Sequence, residues 1–201
     1  MSKNLFKLIL IGSSNVGKTS IIKQLTSNEF NDNFISTIGV HFYTKNLLID
    51  DKKIQFLIWD TAGVEKFKSV TKNYYKTSNV CIIVFDVTDK QSFEDVFEWL
   101  NFYKEYCCEN NNKIFLFGNK IDKNLERSVN AEDVDDFCKR NNLIYYETSA
   151  KDGKNINDVF KNIGKKLIED VNDGKNIEKE NNNNLNLNNE KNDENEKLFC
   201  C

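Results

Sequence analysis

The chain contains no proline, one histidine, one methionine and eight glycines in 201 residues. That composition excludes a collagen-like repeat. No apolar run approaches the ~20 residues that a membrane-spanning helix needs. The opening stretch, Met1 to Gly12, is apolar over too short a length and lacks a cleavage region of small residues, so a signal peptide is not expected. Neither charge dominates: 28 basic residues face 31 acidic ones, a net −3, which argues against a general nucleic-acid binder. The six cysteines are too few and too scattered for a disulfide scaffold. They form no CxxC pair and no His/Cys cluster of zinc spacing. Reduced thiols in a cytosolic setting are the expected state.

What is present falls into a body and a tail. Composition changes near residue 171. Asn172 to Lys197 is dominated by Asn, Glu, Lys and Asp, and after Ile177 its only sizeable apolar side chains are Leu185 and Leu187. Such a stretch buries too little apolar surface to offset its conformational entropy, so 172–201 is expected to be a disordered tail. The body, 1–171, has the length of one ordinary domain.

Within the body, apolar runs alternate with helical spacing. Strands are expected at Phe6–Ile11, His41–Ile49, Ile54–Trp59, Val80–Val87, Ile114–Gly118 and Leu143–Thr148. The second and third pair through Asp50-Asp51. Val80–Val87 and Ile114–Gly118 are continuous apolar runs, as in strands covered on both faces. Helical spacing marks Val16–Ser27, Ser92–Cys108, Ala131–Arg140 and Ile156–Val171. This rhythm predicts an α/β fold: a mainly parallel sheet with helices on both faces.

The strongest single motif is Gly12-Ser13-Ser14-Asn15-Val16-Gly17-Lys18-Thr19, a GxxxxGK[ST] phosphate loop. It follows an expected strand and opens an expected helix, where such a loop must lie. Gly12 and Gly17 let the backbone approach phosphate, and successive N–H groups backed by a helix N-terminus make an anion cradle. Lys18 reaches the outer phosphates, and the Thr19 hydroxyl can ligate Mg²⁺. The motif does not choose between ATP and GTP, nor between kinase, motor and switch.

Two later segments bear on that choice. Asn119-Lys120-Ile121-Asp122 ends an expected strand. A carboxylate there can accept from the two nitrogen donors on a guanine edge, and adenine would leave it unpaired. This argues against a kinase or ATPase. Glu147-Thr148-Ser149-Ala150-Lys151 ends the next strand, where backbone N–H groups can meet the guanine carbonyl.

With these motifs in order, the chain resembles the Rab family of the Ras superfamily of small GTPases, over about residues 5–170 and the last two residues. Asp60-Thr61-Ala62-Gly63 ends a strand as the family's magnesium-linked motif does. Thr37-Ile38-Gly39 resembles the first switch. Ile38-Gly39-Val40-His41-Phe42 is similar to the Rab IGVDF signature, and Lys72-Asn73-Tyr74-Tyr75-Lys76 to the YYR signature.

The resemblance implies a P-loop GTPase fold with a six-stranded sheet over 1–171. It also implies GTP and GDP as bound nucleotides, Mg²⁺ as cofactor, and hydrolysis of GTP to GDP and phosphate. Lys18, Thr37 and Gly63 would act on the reacting phosphate. Ser14, Asn15, Val16, Gly17, Thr19 and Ser20 would line the phosphates. Phe30 and the Lys120 stem would sandwich the guanine, with Asn119, Asp122, Ser149, Ala150 and Lys151 around it. Thr19, Thr37 and, through water, Asp60 would hold Mg²⁺. Phe42, Trp59 and Tyr74 resemble the aromatic triad that Rab effectors read. An exchange factor, an activating protein, a GDP-dissociation inhibitor and the prenylation machinery are the further partners implied. Nucleic acid is not among them.

Three positions depart from the family pattern. The usual DTAGQE reads Asp60-Thr61-Ala62-Gly63-Val64-Glu65 here. The family's Gln orients the attacking water, and Val64 has no group that can. The expected cost is roughly 10²-fold or more in intrinsic hydrolysis. An activating protein that inserts its own Gln would restore turnover. Asn15 replaces the family's Gly; where φ must be positive, Asn is among the least strained alternatives. His41 replaces the Asp of the signature and is expected to be a surface strand residue that alters partner choice.

The chain ends Leu198-Phe199-Cys200-Cys201. The pair resembles a Rab double-prenylation signal and is not a CaaX box. Over Asn172–Lys197 four lysines face seven acids, a net −3, so the tail adds no attraction to anionic lipid. One lipid chain alone binds only marginally, so both Cys200 and Cys201 are expected to be modified. A flexible tail of ~30 residues has a root-mean-square reach of about 30 Å. The expected location is the cytoplasmic face of an intracellular membrane, in exchange with cytosol.

Overall fold

The computed structural model describes residues 4–31, 37, 39–61, 74–107 and 113–172. The chain divides into two units, with the boundary between Lys161 and Asn162. The described part of the second, 162–172, is helical. All the motif residues with a described structure lie in the first.

Six strands form one sheet: β1 (Asn4–Ile11), β2 (Val40–Ile49), β3 (Lys52–Thr61), β4 (Val80–Asp86), β5 (Lys113–Asn119) and β6 (Ile144–Glu147). Their order is β2-β3-β1-β4-β5-β6. Only β2 runs antiparallel, against β3. The β2–β3 turn is Asp50-Asp51 with φ of 46° and 61°. Two positive φ values in a two-residue loop match the twist of a hairpin, and Asp tolerates them better than most residues.

The helices are α1 (Lys18–Ser27), α2 (Lys90–Glu94), α3 (Val96–Tyr106), α4 (Ala131–Asn141) and α5, residues 156–172. Every residue of β4 is buried, as a continuous apolar run covered on both faces requires. Ile9, Ile11, Cys81, Ile83, Phe85 and Leu116 cluster with Val96, Trp99, Leu100 and Tyr103 of α3 and with Val134 and Cys138 of α4. The alternate strand residues Leu8, Leu10, Ile82, Val84, Phe115 and Phe117 are buried on the opposite face. There the rings of Phe56 and Phe117 meet Phe160 of α5.

Two elements differ from the sequence expectation. The single helix expected at Ser92–Cys108 starts earlier and is split. Asp89 caps α2 by accepting from the N–H groups of Gln91 and Ser92, which moves the start to Lys90. Asp95, between α2 and α3, has its side chain engaged by Gln91 and by Ser13. The second difference is a pair of 3₁₀ turns over Ile121–Glu126, kinked at Lys123 and entered through Lys120 at φ 69°.

This topology sets where a ligand can bind. From β1 the chain passes to β3 on one side and then to β4 on the other. A parallel sheet leaves a crevice at the carboxyl ends of its strands beside such a reversal. The carboxyl ends of β3 and β5 bring Asp60 and Asn119 to that edge, and the loops after β1, β5 and β6 bring Gly12–Gly17, Lys120–Asp122 and Thr148–Lys151.

Candidate functional site

The phosphate loop turns between β1 and α1 on residues chosen for backbone reach. Gly12 has φ 137°, and a Cβ there would stand 2.2 Å from the Val84 carbonyl oxygen. Gly17 has φ 98° and caps α1; its Cβ would stand 2.3 Å from the Asn119 amide nitrogen. Neither position can take a side chain. Asn15 adopts φ 64°, the left-handed conformation for which Asn is suited. Because Gly17 is left-handed, α1 begins at Lys18 and not at Val16.

Lys18 is 5% exposed and donates to the Gly12 and Ser13 carbonyl oxygens, each at 2.8 Å. Burial pulls its ammonium down to about 8, against the opposing pull of Asp60. A phosphate group would offset the lost hydration of the ammonium with a second opposite charge. Ser14 and Asn15 are exposed, Val16 is buried, and Ser20 is half-buried on the first turn of α1.

Three oxygen-bearing side chains from separate segments meet beside the loop. The Thr19 hydroxyl donates to Asp60 Oδ2 at 2.6 Å and lies 2.8 Å from the Thr37 hydroxyl. Asp60 is fully buried, and its Oδ1 has no hydrogen-bond partner among the described residues. Burial pushes its carboxyl up, while Thr19, Lys18, His41 and Lys23 pull it down. A buried carboxylate oxygen without a partner, next to two hydroxyls, fits a hard divalent cation. Mg²⁺ commonly takes one or two carboxylates and completes its shell with water and phosphate, so one Asp is sufficient. Among the described residues no cluster of three or more His, Cys, Asp or Glu side chains competes for a metal.

The second half of the site is a set of mutually bonded loops. Asn119, 1% exposed, donates from its amide to the Val16 carbonyl at 2.9 Å. Its Oδ1 accepts from the Ala150 N–H at 3.2 Å and the Thr148 hydroxyl at 3.3 Å. One side chain thus ties the phosphate loop to both later loops. Asp122 accepts from the Ser149 hydroxyl at 2.7 Å, and that hydroxyl in turn accepts from the Asp152 N–H at 3.0 Å. Lys120 reaches Asp86 Oδ2 at 2.7 Å. The other oxygen of Asp86 accepts from both the N–H and the hydroxyl of Thr88. Lys151 is exposed at the rim, and Phe30 is 38% exposed after α1.

Several supporting residues escaped the sequence reading. Asp86 closes an otherwise apolar strand, and that lone charge was the available signal. Arg127 pairs with Glu147 at 2.8 Å, and the Tyr145 hydroxyl donates to the same carboxylate oxygen at 3.1 Å. Asn155 donates to the Glu147 carbonyl. These partners are remote in sequence and left no local mark. Gly63, Val64, Cys200 and Cys201 lie outside the described residues.

The aromatic residues expected to meet partners are brought together at the β2–β3 edge. Phe42, 56% exposed, pairs in register with Trp59. Trp59 meets Tyr74 edge-on with ring centroids 5.1 Å apart, and Lys7 Nζ sits over its ring. Tyr75 turns the other way and is buried against Phe102 and Tyr103. His41 is exposed on β2, as a surface strand residue. No helix among the described residues is long and apolar enough to cross a membrane.

Comparison with known proteins agrees with this arrangement. The Ras family model matches residues 7–169. The chain is similar to the GTP-binding protein ypt3 of Schizosaccharomyces pombe, 43% identical over 159 residues, 79% of this chain and 74% of the yeast protein. It is 38% identical to the Ras-related protein Rab-13 of Bos taurus over 165 residues, 82% of this chain and 81% of Rab-13. The Ras-related protein RABA1h of Arabidopsis thaliana is 39% identical over 159 residues, 79% of this chain and 72% of RABA1h. The chain belongs to the Rab family of Ras-type small GTPases.

Proposed function

We propose that the chain is a guanine-nucleotide switch of vesicle traffic that binds GTP and GDP, hydrolyses GTP slowly to GDP and phosphate, and recruits effectors in its GTP form. The observation that carries this reading is Asn119, whose one amide joins the phosphate loop to the two loops that would hold the base. Lys18 binds the outer phosphates. Asp122, oriented by Ser149, accepts from the guanine edge, and the Ala150 N–H faces its carbonyl side. Lys120 and Phe30 cover the two ring faces, with Lys151 at the rim.

Thr19, Thr37 and Asp60 would hold Mg²⁺, which supplies charge neutralisation at the phosphates. Thr37 and Gly63 read the γ-phosphate, so that its loss releases both switch segments. Val64 offers no group to orient the attacking water, which leaves the GTP form long-lived. Effectors read Phe42, Trp59 and Tyr74. An exchange factor, an activating protein, a GDP-dissociation inhibitor and prenylation enzymes act on the same cycle. Lipid on Cys200 and Cys201 holds the chain to the cytoplasmic face of an intracellular membrane, from which it returns to cytosol.

A second reading follows from Val64 alone: a GTP-dependent effector platform that scarcely cycles. Single-turnover hydrolysis of bound GTP, with and without an activating protein, separates the two. A switch is expected to hydrolyse slowly alone and rapidly with activator, and Val64→Gln is expected to raise the intrinsic rate by roughly 10²-fold. Turnover unaffected by any activator favours the platform. An intrinsic rate unchanged in Val64→Gln refutes the role given to Val64.

A further inference from the structure

The phosphate loop is held from behind as well as from within. Lys18 takes the Ser13 carbonyl from the nucleotide side. The Ser13 side chain is engaged elsewhere: its hydroxyl donates to Asp95 Oδ2 at 2.7 Å and accepts from the Trp99 indole N–H at 3.3 Å. The other oxygen of Asp95 accepts from the Gln91 amide at 2.9 Å. Ser13 thus sits at the centre of a chain of hydrogen bonds that reaches across more than eighty residues to the seam between α2 and α3.

The position of that seam is informative. Asp95 stands between α2 and α3 with helical φ and ψ, its N–H donating to the Gln91 carbonyl and its carbonyl accepting from the Trp99 N–H, and its side chain makes no helix cap. Its carboxylate is engaged instead by the loop and by Gln91. Trp99 is 5% exposed within the core cluster, so its N–H is offered from a fixed ring. An acidic acceptor and a rigid donor on one hydroxyl fix its position better than solvent could.

The loop needs such a support. It turns on two glycines at positive φ and on a left-handed Asn15, and glycine gives the unbound backbone many other conformations to visit. Its N–H groups bind phosphate well only when they already point inward, because ordering them on binding costs affinity.

We infer that Asp95 and Trp99, acting through Ser13, are positioning residues that pre-set the phosphate loop and so slow nucleotide release. This rests on the guanine-nucleotide reading above. The brace acts at the phosphate end, so it affects GDP and GTP alike and leaves discrimination between guanine and hypoxanthine bases untouched.

The test is the dissociation rate of a fluorescent GDP from the full chain, measured for wild type, Ser13→Ala, Asp95→Ala and the double variant. Each single change is expected to speed release about tenfold, as for loss of one charge-assisted hydrogen bond. The double variant is expected to be no faster than either single one, because both remove the same link. The ratio of GDP to IDP affinity is expected to stay at the wild-type value. In a Trp59→Phe background, Trp99 emission is expected to shift when nucleotide is stripped, and to lose that shift in Ser13→Ala. Unchanged release rates overturn the inference, as do additive effects in the double variant or an altered GDP/IDP ratio. A Ser13→Ala chain that fails to fold also overturns it, since the hydroxyl would then serve the fold and not the loop. If the wild type itself retains no guanine nucleotide, the functional reading fails instead.

Discussion

The phosphate end and the base end of the site are prepared in different ways. At the base end the side chains satisfy one another: Asn119 with Val16, Thr148 and Ala150, Lys120 with Asp86, Asp122 with Ser149. At the phosphate end the groups are assembled but not completed. Asp60 Oδ1 is buried without a partner among the described residues, and Lys18 is buried deeply enough to pull its ammonium down to about 8. A buried polar atom left unpaired costs free energy that a ligand can return. On the proposed reading the base end would act as a rigid gauge, and the phosphate end would draw most of the binding energy.

That contrast can be broken experimentally. The largest effect is expected for Lys18→Ala, which removes the ammonium that the phosphate loop itself supplies. GDP and GTP affinity should fall by about 10³-fold in fluorescence titration, from loss of charge-assisted contacts to phosphate. A fall below tenfold would place the binding energy at the base end. Next comes Asn119→Ala. It leaves the Val16 carbonyl and Ala150 N–H without partners, so affinity should fall by ~10²-fold and the melting temperature should fall with it. Affinity lost with no change in melting temperature would mean that Asn119 touches the ligand and does not tie the loops.

The smallest effect is expected for Asp86→Asn. Lys120 sits at φ 69°, a strained conformation for a long side chain, and its ion pair with Asp86 holds the stem in place. Release of GDP should quicken about tenfold. In a Lys120→Ala background the same change should do nothing further. A full effect there would show that Asp86 acts without Lys120.

The same contrast explains what could be read from the chain alone. Gly12, Gly17 and Lys18 announce a phosphate loop because backbone geometry dictates residue type at fixed spacing. Asn119 to Asp122 and Thr148 to Lys151 are legible because each ends an apolar strand, and so is the Asp50-Asp51 hairpin. The seam at Asp95 was not legible, because its side chain is engaged by Ser13, far away in sequence. Nor were the 3₁₀ turns over Ile121–Glu126, which follow from the left-handed Lys120. Arg127 and Tyr145, gathered on Glu147, likewise carry no local pattern. Long-range partners of this kind are set by tertiary packing, on which local propensity is silent.

The central claim is a guanine-nucleotide site whose phosphate end needs a divalent cation. Calorimetry of the ligand-stripped chain against GDP, GTP and ATP, with Mg²⁺ and with chelator, tests it most directly. Strong heat is expected with both guanine nucleotides in Mg²⁺, weaker binding under chelation, and none with ATP. No heat from either guanine nucleotide, or ATP binding as tightly as GTP, would contradict it.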